Sequence, residues 1–352
     1  MLAKYLDPLR FEQKLIGTHK DGFVADEIEA NGVQILEIGD FQGPFHWAKH
    51  RKVQKIIGQF KPHIIHGAVY EGVTLAAING ILKKVPIILL EETSFPTNRS
   101  KKASLLLKFF SIFSDVFVAI SPNVADYLTN VVKVSPKKVK LINNGVESPR
   151  DVLTGEIEKL KFSLKFKGSE IIVGTIGRLF NDPKRITDII KALTLLNNQQ
   201  IKLLVVGGGP DENMLREYAV QQGVQEKVIF VGYQFDTAPY FKLMDIFCIA
   251  SSREGFGLVA AEAMLHQLPV IATRVGGLQD IVVDGETGFL VPAFDPEAIA
   301  QKIQYLLDNP EARKAMGQNA FSRAKENYTA ERYCKEVEAL YLQLIQEKGI
   351  KI

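Results

Sequence analysis

Short, continuous apolar runs alternate along this chain with longer segments whose apolar positions recur at the spacing of an α-helix. Such runs are typical of strands buried on both faces, and their alternation with helices predicts parallel sheets. In the first half they predict strands in residues 14–17, 33–38, 62–67, 86–90, 116–120 and 138–142. In the second half they predict strands in residues 171–176, 201–206, 228–231, 246–250, 270–272 and 289–291.

The segments with helical spacing predict the helices between these strands. They are residues 24–30, 49–60, 71–82, 123–129, 186–196, 213–222, 258–265, 296–307, 311–326 and an amphipathic tail, 330–346. Residues 151–168 are charged and weakly patterned, and they predict a linker. The 352 residues therefore divide into domains 1–150 and 169–328, with a C-terminal helix in 329–352. Doubly wound domains of this kind bind ligands at the carboxyl ends of their strands.

The net charge of +3 is unevenly distributed along the chain. Residues 1–150 carry 20 Lys and Arg against 14 Asp and Glu, whereas residues 151–352 carry 23 against 26. A basic first half suits an acidic acceptor or an anionic membrane surface, and no nucleic-acid partner is expected. The two cysteines, Cys248 and Cys334, follow no metal-ligand spacing, and no apolar run approaches the length of a membrane span. We therefore expect a cytoplasmic protein, with the inner face of the membrane as a candidate location.

The stretch from Ser251 to Met264 combines a strand end, a loop with Gly255 and Gly257, and a helix start. Free N–H groups and the helix dipole make such a helix start an anion site. Two carboxylates, Glu254 and Glu262, frame the loop. An anion does not need carboxylates, so we interpret them as acceptors of hydrogen bonds from hydroxyl groups. Hydroxyls beside a phosphate indicate a sugar nucleotide, although two glutamates at this spacing arise by chance in most proteins.

Two cations follow the first strand of the second half, Arg178 after Gly177 and then Lys184. At a strand end they suit a diphosphate, but an isolated pair of this kind is more often solvated surface charge. Gly207-Gly208-Gly209 also follows a strand, but Glu212 stands where the dinucleotide fingerprint needs its third glycine.

Residues 251–264 resemble the E-x7-E signature of retaining glycosyltransferases of family 4, which have the GT-B fold. Gly177-Arg178-Leu179 with Lys184 is similar to the diphosphate clamp of that family, with Arg185 where glycine is usual. The turn at Gly207, the loop at Tyr233 and residues 269–291 also resemble the family, apart from Asp280, where glutamate is common. The resemblance covers nearly the whole chain and is strongest over residues 171–330.

The resemblance implies an α/β architecture of two Rossmann-like, doubly wound domains facing each other across a cleft. The C-terminal helix would pack back on the first domain. It also implies a retaining, metal-independent enzyme of polysaccharide biosynthesis that needs no cofactor. This enzyme would move a hexose-type sugar from a UDP- or GDP-linked donor to a glycan or lipid-linked acceptor. The chain has no Asp-x-Asp sequence, which disfavours the metal-dependent nucleotide-sugar fold.

The resemblance assigns roles to particular residues. Arg178 and Lys184 would stabilise the leaving diphosphate, Glu254 would hold the donor sugar and Glu262 the ribose. The predicted catalytic residues are Glu254, Arg178 and Lys184, and no metal ligand is expected. The predicted donor-binding residues are Gly177, Arg178, Lys184, Gly207, Tyr233, Glu254, Gly255, Phe256, Gly257, Leu258 and Glu262.

The predictions for the first half are less specific. His66 lies at a strand end, where histidine is more often structural, and Glu91-Glu92-Thr93 occupies a strand end at which many family members carry an acceptor-facing histidine. These four residues are the acceptor-side candidates. Residues 99–113 are basic and apolar, which suits peripheral membrane contact, but an ordinary helix with a wide core face is the favoured interpretation.

The family pattern also begins earlier than this sequence does. Its members open with a strand, a glycine-rich loop and a helix, whereas Met1 to Leu6 resemble the end of that helix. We therefore expect an incomplete first sheet. Two other functions are compatible with the motifs, a nucleotide-sugar-binding protein without catalysis and a GT-B sugar-nucleotide epimerase.

Overall fold

Three parallel sheets carry the fold in a computed structural model, which describes residues 1–41, 43–94, 99–196 and 198–351. Each strand that the apolar runs predict is confirmed, and no strand end differs from the prediction by more than two residues. The strands are β1 Lys14–Gly17, β2 Gln34–Glu37, β3 Ile64–Ala68, β4 Ile87–Glu92, β5 Val116–Ala119, β6 Val139–Leu141, β7 Ile171–Ile176, β8 Ile201–Val206, β9 Val228–Phe230, β10 Ile246–Ile249, β11 Val270–Thr273 and β12 Gly288–Val291.

The helices between the strands include several short ones that the spacing did not predict, because a four- to six-residue helix carries too little periodicity. The helices are α1 Leu2–Tyr5, α2 Phe23–Ala30, α3 Trp47–Phe60, α4 Val69–Leu82, α5 Lys101–Phe113, α6 Pro122–Asp126, α7 Thr154–Ser163, α8 Asn181–Lys184, α9 Ile186–Leu195, α10 Glu212–Gln221, α11 Ala238–Leu243, α12 Leu258–Leu265, α13 Leu278–Ile281, α14 Pro296–Asp308, α15 Pro310–Asn327 and α16 Ala330–Glu347. In the described residues, none of them has the length and apolarity that crossing a membrane requires.

The chain forms two compact units, one of residues 1–145 with 330–352 and one of residues 146–329. The second unit contains α7, which lies in the segment predicted as a linker and packs against α11. Its six-stranded sheet has the order β9-β8-β7-β10-β11-β12, with parallel pairing throughout. This is the doubly wound order, and helices on both faces bury residues such as Leu203, Leu204 and Val205 completely.

The first unit is built from two separate sheets. β1 pairs only with β2, while β3, β4, β5 and β6 form a parallel sheet in that order. Within the described residues, β1 and β3 are each paired on one side only. A cavity of about 480 Å³ is lined by residues at their carboxyl ends, among them Gly17, Ala68 and Val69.

Helix α16 packs on the four-stranded sheet of the first unit, which confirms the predicted return of the C-terminal helix. Its apolar face, including Val337 and Leu340, shares a core with Leu89 and Val118 of the sheet. Helix α5 differs in its packing from the prediction for residues 99–113, because only Leu107, Phe110 and Ser111 of this helix are buried. The predicted helix is therefore confirmed over residues 101–113, but its core face is narrower than the wide one predicted.

Candidate functional site

The strand order of the second unit reverses between β7 and β10, and doubly wound sheets form their ligand crevice at such a point. Gly177 follows β7 and Gly207 follows the neighbouring strand, β8. A Cβ atom on Gly207 would lie 1.9 Å from the Gly177 carbonyl oxygen, and the φ angle of Gly207 is 133°. Only glycine fits this crossing, which holds the two strand ends in backbone contact.

Tyr233 lies beside this crossing. The Gly207 N–H donates to the Gly232 carbonyl at 2.8 Å, and a Cβ atom on Gly208 would lie 3.6 Å from the Tyr233 Cβ. The Tyr233 side chain is 76% exposed, so its ring is accessible from the crevice. An aromatic face in this position can stack on a planar ring such as a nucleobase.

The loop after β10 is shaped by a glycine pair in the next loop. The Gly277 N–H donates to the Glu254 carbonyl at 3.1 Å, and a Cβ atom on Gly276 would lie 1.7 Å from that oxygen. At the end of the loop, Gly257 is the N-cap residue of α12, and among the described residues no side chain caps the helix. The first N–H groups of α12 are therefore available to an anion.

Lys184 and Glu254 form an ion pair, with the lysine Nζ 2.7 Å from Oε2 of the carboxylate. Sequence reasoning proposed both residues but not their contact, because they are 70 positions apart in the chain. The backbone holds the two elements together, since the Ser252 N–H donates to the Pro183 carbonyl at 2.8 Å. Arg253 and Asp182 pair beside it at 2.9 Å. No sequence pattern pointed to Asp182 or Ser252.

The two arginines near the crevice differ in what holds them. Arg178 is exposed, and in the described part of the chain its guanidinium makes no ion pair. Arg185 pairs with Asp188 at 2.7 Å and lies over the ring of Phe294. Arg185 has a φ angle of 52°, a left-handed conformation that explains why glycine is usual at this position in the family pattern. Arg178 is thus the arginine that is left available to a ligand.

Glu262 lies in the second turn of α12, where it is partly buried. Its carboxylate has no hydrogen-bond or ion-pair partner among the residues that the structure describes. Burial raises the pKa of Glu262 from its ordinary value of 4.5 to about 7. A carboxylate in this state is stabilised by hydroxyl donors, because they satisfy the charge without bringing a second charge into the site.

The remaining predicted donor residues surround this loop. Gly255 and Phe256 lie in it, and Leu258 is the first residue of α12 and 43% exposed. Phe256 is 4% exposed and packs edge-on against Tyr328, with ring centroids 5.6 Å apart. The structure thus places the predicted donor-side residues around one crevice, and their individual roles stay predictions.

In the first unit, His66 and Glu91 bond to the C-terminal helix. His66 Nδ1 is 2.6 Å from the Tyr341 hydroxyl, and its Nε2 is 3.1 Å from Oε2 of Glu91. The Tyr333 hydroxyl donates to the same carboxylate oxygen at 2.9 Å. Burial, with Glu91 nearby, raises the pKa of both tyrosines. This buried network was not predicted, although Tyr333 and Tyr341 are eight residues apart and so share one helix face.

Glu92, another acceptor-side candidate, also bonds to side chains of the first unit. Glu92 is 3% exposed and pairs with Arg99, and it also accepts from the Ser94 hydroxyl at 2.8 Å. Thr93 is half-buried. The carboxylates of Glu91 and Glu92 are therefore both occupied by partners from the protein itself.

Comparison with known proteins gives two matching families. Residues 1–150 match Glycosyltransferase Family 4, and residues 156–323 match Glycosyl transferases group 1. Among curated proteins, N-acetyl-alpha-D-glucosaminyl L-malate synthase of Bacillus anthracis is 28% identical over 69% of this chain and 63% of its own length. The capsular polysaccharide biosynthesis glycosyltransferase CapM of Staphylococcus aureus is 30% identical over 58% of this chain and 54% of its own. The chain thus spans between half and two thirds of the length of these relatives.

Solved structures match over a larger part of the chain. A glycosyltransferase from Rickettsia africae superimposes with a TM-score of 0.86, covering 98% of this chain and 93% of its own at 21% identity. HepE of Anabaena, solved in complex with UDP, gives a TM-score of 0.85, covering 97% of this chain and 95% of its own at 19% identity. These likenesses confirm the predicted α/β fold with two Rossmann-like domains of the GT-B class.

Proposed function

Because this chain belongs to the GT-B glycosyltransferases, we propose that it transfers a hexose-type sugar from a UDP- or GDP-linked donor to a glycan or lipid-linked acceptor. The observation that carries the proposal is the crevice at β7 and β10, where Arg178 and Lys184 line one pocket and Glu254, paired with Lys184, lies in the loop before α12. Among the described residues no side chain caps α12, and the carboxylate of Glu262, in its second turn, has no partner. One structural neighbour supports the donor class, since HepE was solved with UDP and also with UDP-glucose.

The proposed reaction exchanges one bond of the sugar for another. The bond between the anomeric carbon and the diphosphate oxygen breaks, and the acceptor hydroxyl oxygen bonds to that carbon and releases its proton. Negative charge grows on the leaving diphosphate. Arg178, Lys184 and the first N–H groups of α12 would stabilise that charge. These groups provide the positive charge without a metal ion, which is the basis of the proposed metal independence.

The two glutamates would divide the hydroxyl groups of the donor between them. Glu262, which has no cation beside it within the described residues, would accept from the ribose hydroxyls. Glu254 would accept from the sugar once the diphosphate has drawn Lys184 away from it. Retention of configuration rests on the similarity of Glu254 and Glu262 to the E-x7-E signature.

The test is a panel of UDP- and GDP-sugars, with binding measured by calorimetry and transfer measured with labelled donor. Glu254→Gln should not lower the affinity for the free nucleoside diphosphate, because the diphosphate no longer has to replace the carboxylate at Lys184. Relative to the free diphosphate, binding of the intact donor should weaken about tenfold, because the variant lacks a charged acceptor of hydrogen bonds. Glu217→Gln is the matched control, since Glu217 is exposed and lies in α10 of the same unit.

The outcomes separate the proposed enzyme from the two other functions. Binding of a donor without transfer to any glycan or lipid-linked acceptor would favour a non-catalytic binding protein. Conversion of the donor to an epimeric sugar in the absence of acceptor would favour an epimerase. Equal loss of free diphosphate and intact donor in Glu254→Gln would overturn the division of roles between the two glutamates.

A further inference from the structure

The loop that joins β9 to α11, residues 231–237, carries two exposed aromatic side chains. Tyr233 is 76% exposed and Phe235 is 59% exposed. The backbone fixes the first end of the loop, since the Val231 N–H donates to the Val205 carbonyl at 3.1 Å. Rings that are exposed to this extent add little packing, so polar contacts have to set the path of the rest of the loop.

Asp236 fixes the other end of the loop. Its Oδ1 accepts from the Ala238 N–H, at the start of α11, at 3.1 Å. Its Oδ2 accepts from Arg150 Nε at 2.7 Å, and Nη2 of the same guanidinium donates to that oxygen as well. Because Asp236 comes three residues after Tyr233, these contacts limit the paths that the loop can take from Tyr233 to α11.

Arg150 uses its whole guanidinium group in this contact. Its Nη2 and Nη1 donate to the Glu156 carboxylate at 2.7 and 3.3 Å, and Nη1 also donates to the Asp151 carbonyl at 2.8 Å. Glu156 accepts in turn from the Leu153 N–H at 3.1 Å, just before α7 begins. We call Arg150, Glu156 and Asp236 the Arg150 brace. Only a planar group with donors on three nitrogens can meet all of these acceptors at once.

The Arg150 brace is too exposed to be a major source of stability. The side chains of Arg150, Glu156 and Asp236 are 43%, 37% and 40% exposed. Ion pairs in water contribute little to the free energy of unfolding. The alternative conformations of a surface loop, however, also differ little in free energy, so a contact of this strength can select among them. The brace therefore has its main effect on the conformation of the loop.

We propose that Arg150 is a positioning residue, which holds Tyr233 in the conformation that stacks on the nucleobase of the donor. The inference rests on the proposed function, because it assumes that the second unit binds a sugar nucleotide. Tyr233 would contact the base, whereas Arg150 would act through Asp236 and not touch the ligand. A loop that is already ordered loses less conformational freedom when the ligand binds. The base is remote from the bond that breaks, so Arg150 should affect affinity and not the chemical step.

The experiment measures binding of UDP and of GDP to the full chain by calorimetry, together with KM and kcat for the sugar donor that the chain accepts. Arg150→Ala should weaken binding of the preferred nucleoside diphosphate, and raise KM, about fivefold. The value of kcat should change less than twofold, and the variant should melt within about 3 °C of the parent chain. Lys161→Ala is the matched control, because it removes an ion-paired lysine from α7.

A double variant separates positioning from a general structural role. Tyr233→Ala should weaken binding about tenfold, because a stacking surface for the base is lost. Adding Arg150→Ala to Tyr233→Ala should cause no further loss, since the brace then has no ring to position. Two independent structural effects would instead multiply.

Hydrogen exchange without ligand follows the loop directly. The amides of residues 234–238 should exchange about fivefold faster in Arg150→Ala than in the parent chain, because the loop is held less firmly. The Lys161→Ala control should leave their exchange unchanged.

The outcomes distinguish this inference from the proposed function. A parent chain that binds neither UDP nor GDP would overturn the proposed function, and the positioning role with it. A parent chain that binds one of them would leave the proposed function standing. In that case, equal binding by Arg150→Ala, a further loss in the double variant or unchanged exchange of the loop would each overturn the positioning role alone.

Discussion

The sheets of the two units are built from similar strands but are joined differently. In the second unit, β7 lies in the middle and connects β8 and β9 to β10, β11 and β12. In the first unit, no described strand connects the β1-β2 pair to the sheet of β3 to β6, and a cavity of about 480 Å³ lies at their carboxyl ends. A strand that is hydrogen-bonded to a neighbour on each side can open only when those neighbours open too. Local unfolding should therefore be more cooperative in the second unit than in the first.

The carboxyl ends of the two sheets also differ in how their polar groups are used. In the second unit, Arg178 is exposed and the Lys184–Glu254 pair is partly exposed. In the first unit, Glu91 and Glu92 are buried and bonded to side chains of their own unit. Polar residues at both strand ends have partners in their own unit, and it is the burial of Glu91 and Glu92 that separates them from the partly exposed Lys184–Glu254 pair.

The largest expected difference is in hydrogen exchange. Amides of β7 and β8, which are paired in a continuous sheet, should exchange at least about 10³-fold more slowly than those of β1 and β2, because the two-stranded sheet can open locally. Exchange of the intact chain followed by mass spectrometry measures both regions in one sample. Equal protection of the two regions would show that the separated sheets are as cooperative as the continuous one.

Removing the exposed cation should have the next largest effect. Arg178→Ala should lower the rate of sugar transfer about 10²- to 10³-fold, because charge on the leaving diphosphate loses a stabilising partner. Lys184→Ala should act in the same direction. Arg216→Ala is the control, since Arg216 pairs with Glu212 on α10. Transfer near the parent rate in both site variants would rule out the diphosphate clamp.

Glu262 provides a test that depends on pH. Its pKa of about 7 in the folded chain lies above its ordinary value of 4.5, so the folded state binds the proton more tightly. Stability should therefore fall as pH rises from about 4.5 to about 7, with the full penalty above that range. Glu262→Gln should remove a penalty of at most about 3 kcal/mol at pH 8 and nothing at pH 4.

Denaturant unfolding without ligand at the two pH values measures this difference, and calorimetry should show weaker nucleoside diphosphate binding in the same variant. A gain in stability joined to a loss of affinity is characteristic of a binding residue. A loss of both at pH 8 would instead assign Glu262 to the support of the fold.

The smallest effect is expected in the first unit. Tyr333→Phe removes the hydroxyl that donates to Glu91 and should lower the free energy of unfolding by about 1 to 3 kcal/mol. The transfer rate of the folded fraction should change less than twofold. Tyr305→Phe is the control, because Tyr305 is 44% exposed in the second unit. A loss of transfer with unchanged stability would place Glu91 at the acceptor.

Much of the fold could be predicted because buried parallel strands are continuous apolar runs, as in Leu203 to Val206. The short helices α11 and α13 were missed, since a single turn leaves little pattern. The exposure of Phe109 was missed for a different reason. Helix α5 is apolar on several sides, and only the packing of the first unit decides which side is buried.

In the candidate site, too, features within one segment could be predicted from the sequence, whereas contacts between distant segments could not. The glycine turns and both glutamates could be predicted from local motifs, because each motif lies within one continuous stretch of the chain. The pairing of Lys184 with Glu254, and of Glu91 with Tyr333, links segments that are distant in the chain. These contacts depend on the order of the strands in the sheet and on where the helices pack. The spacing of residues within one segment carries no information about either.

The pairing of Lys184 with Glu254 gives the site its own internal counterion. In the proposed reaction, an arriving diphosphate must displace the Glu254 carboxylate from Lys184, and not only water. This competition lowers the affinity of the site for small inorganic anions more than its affinity for a donor, because the donor makes several contacts at once. When the spent nucleotide leaves, the carboxylate recaptures the lysine. In the proposed reaction, the contact that screens the site before binding would therefore also assist the release that ends each turnover.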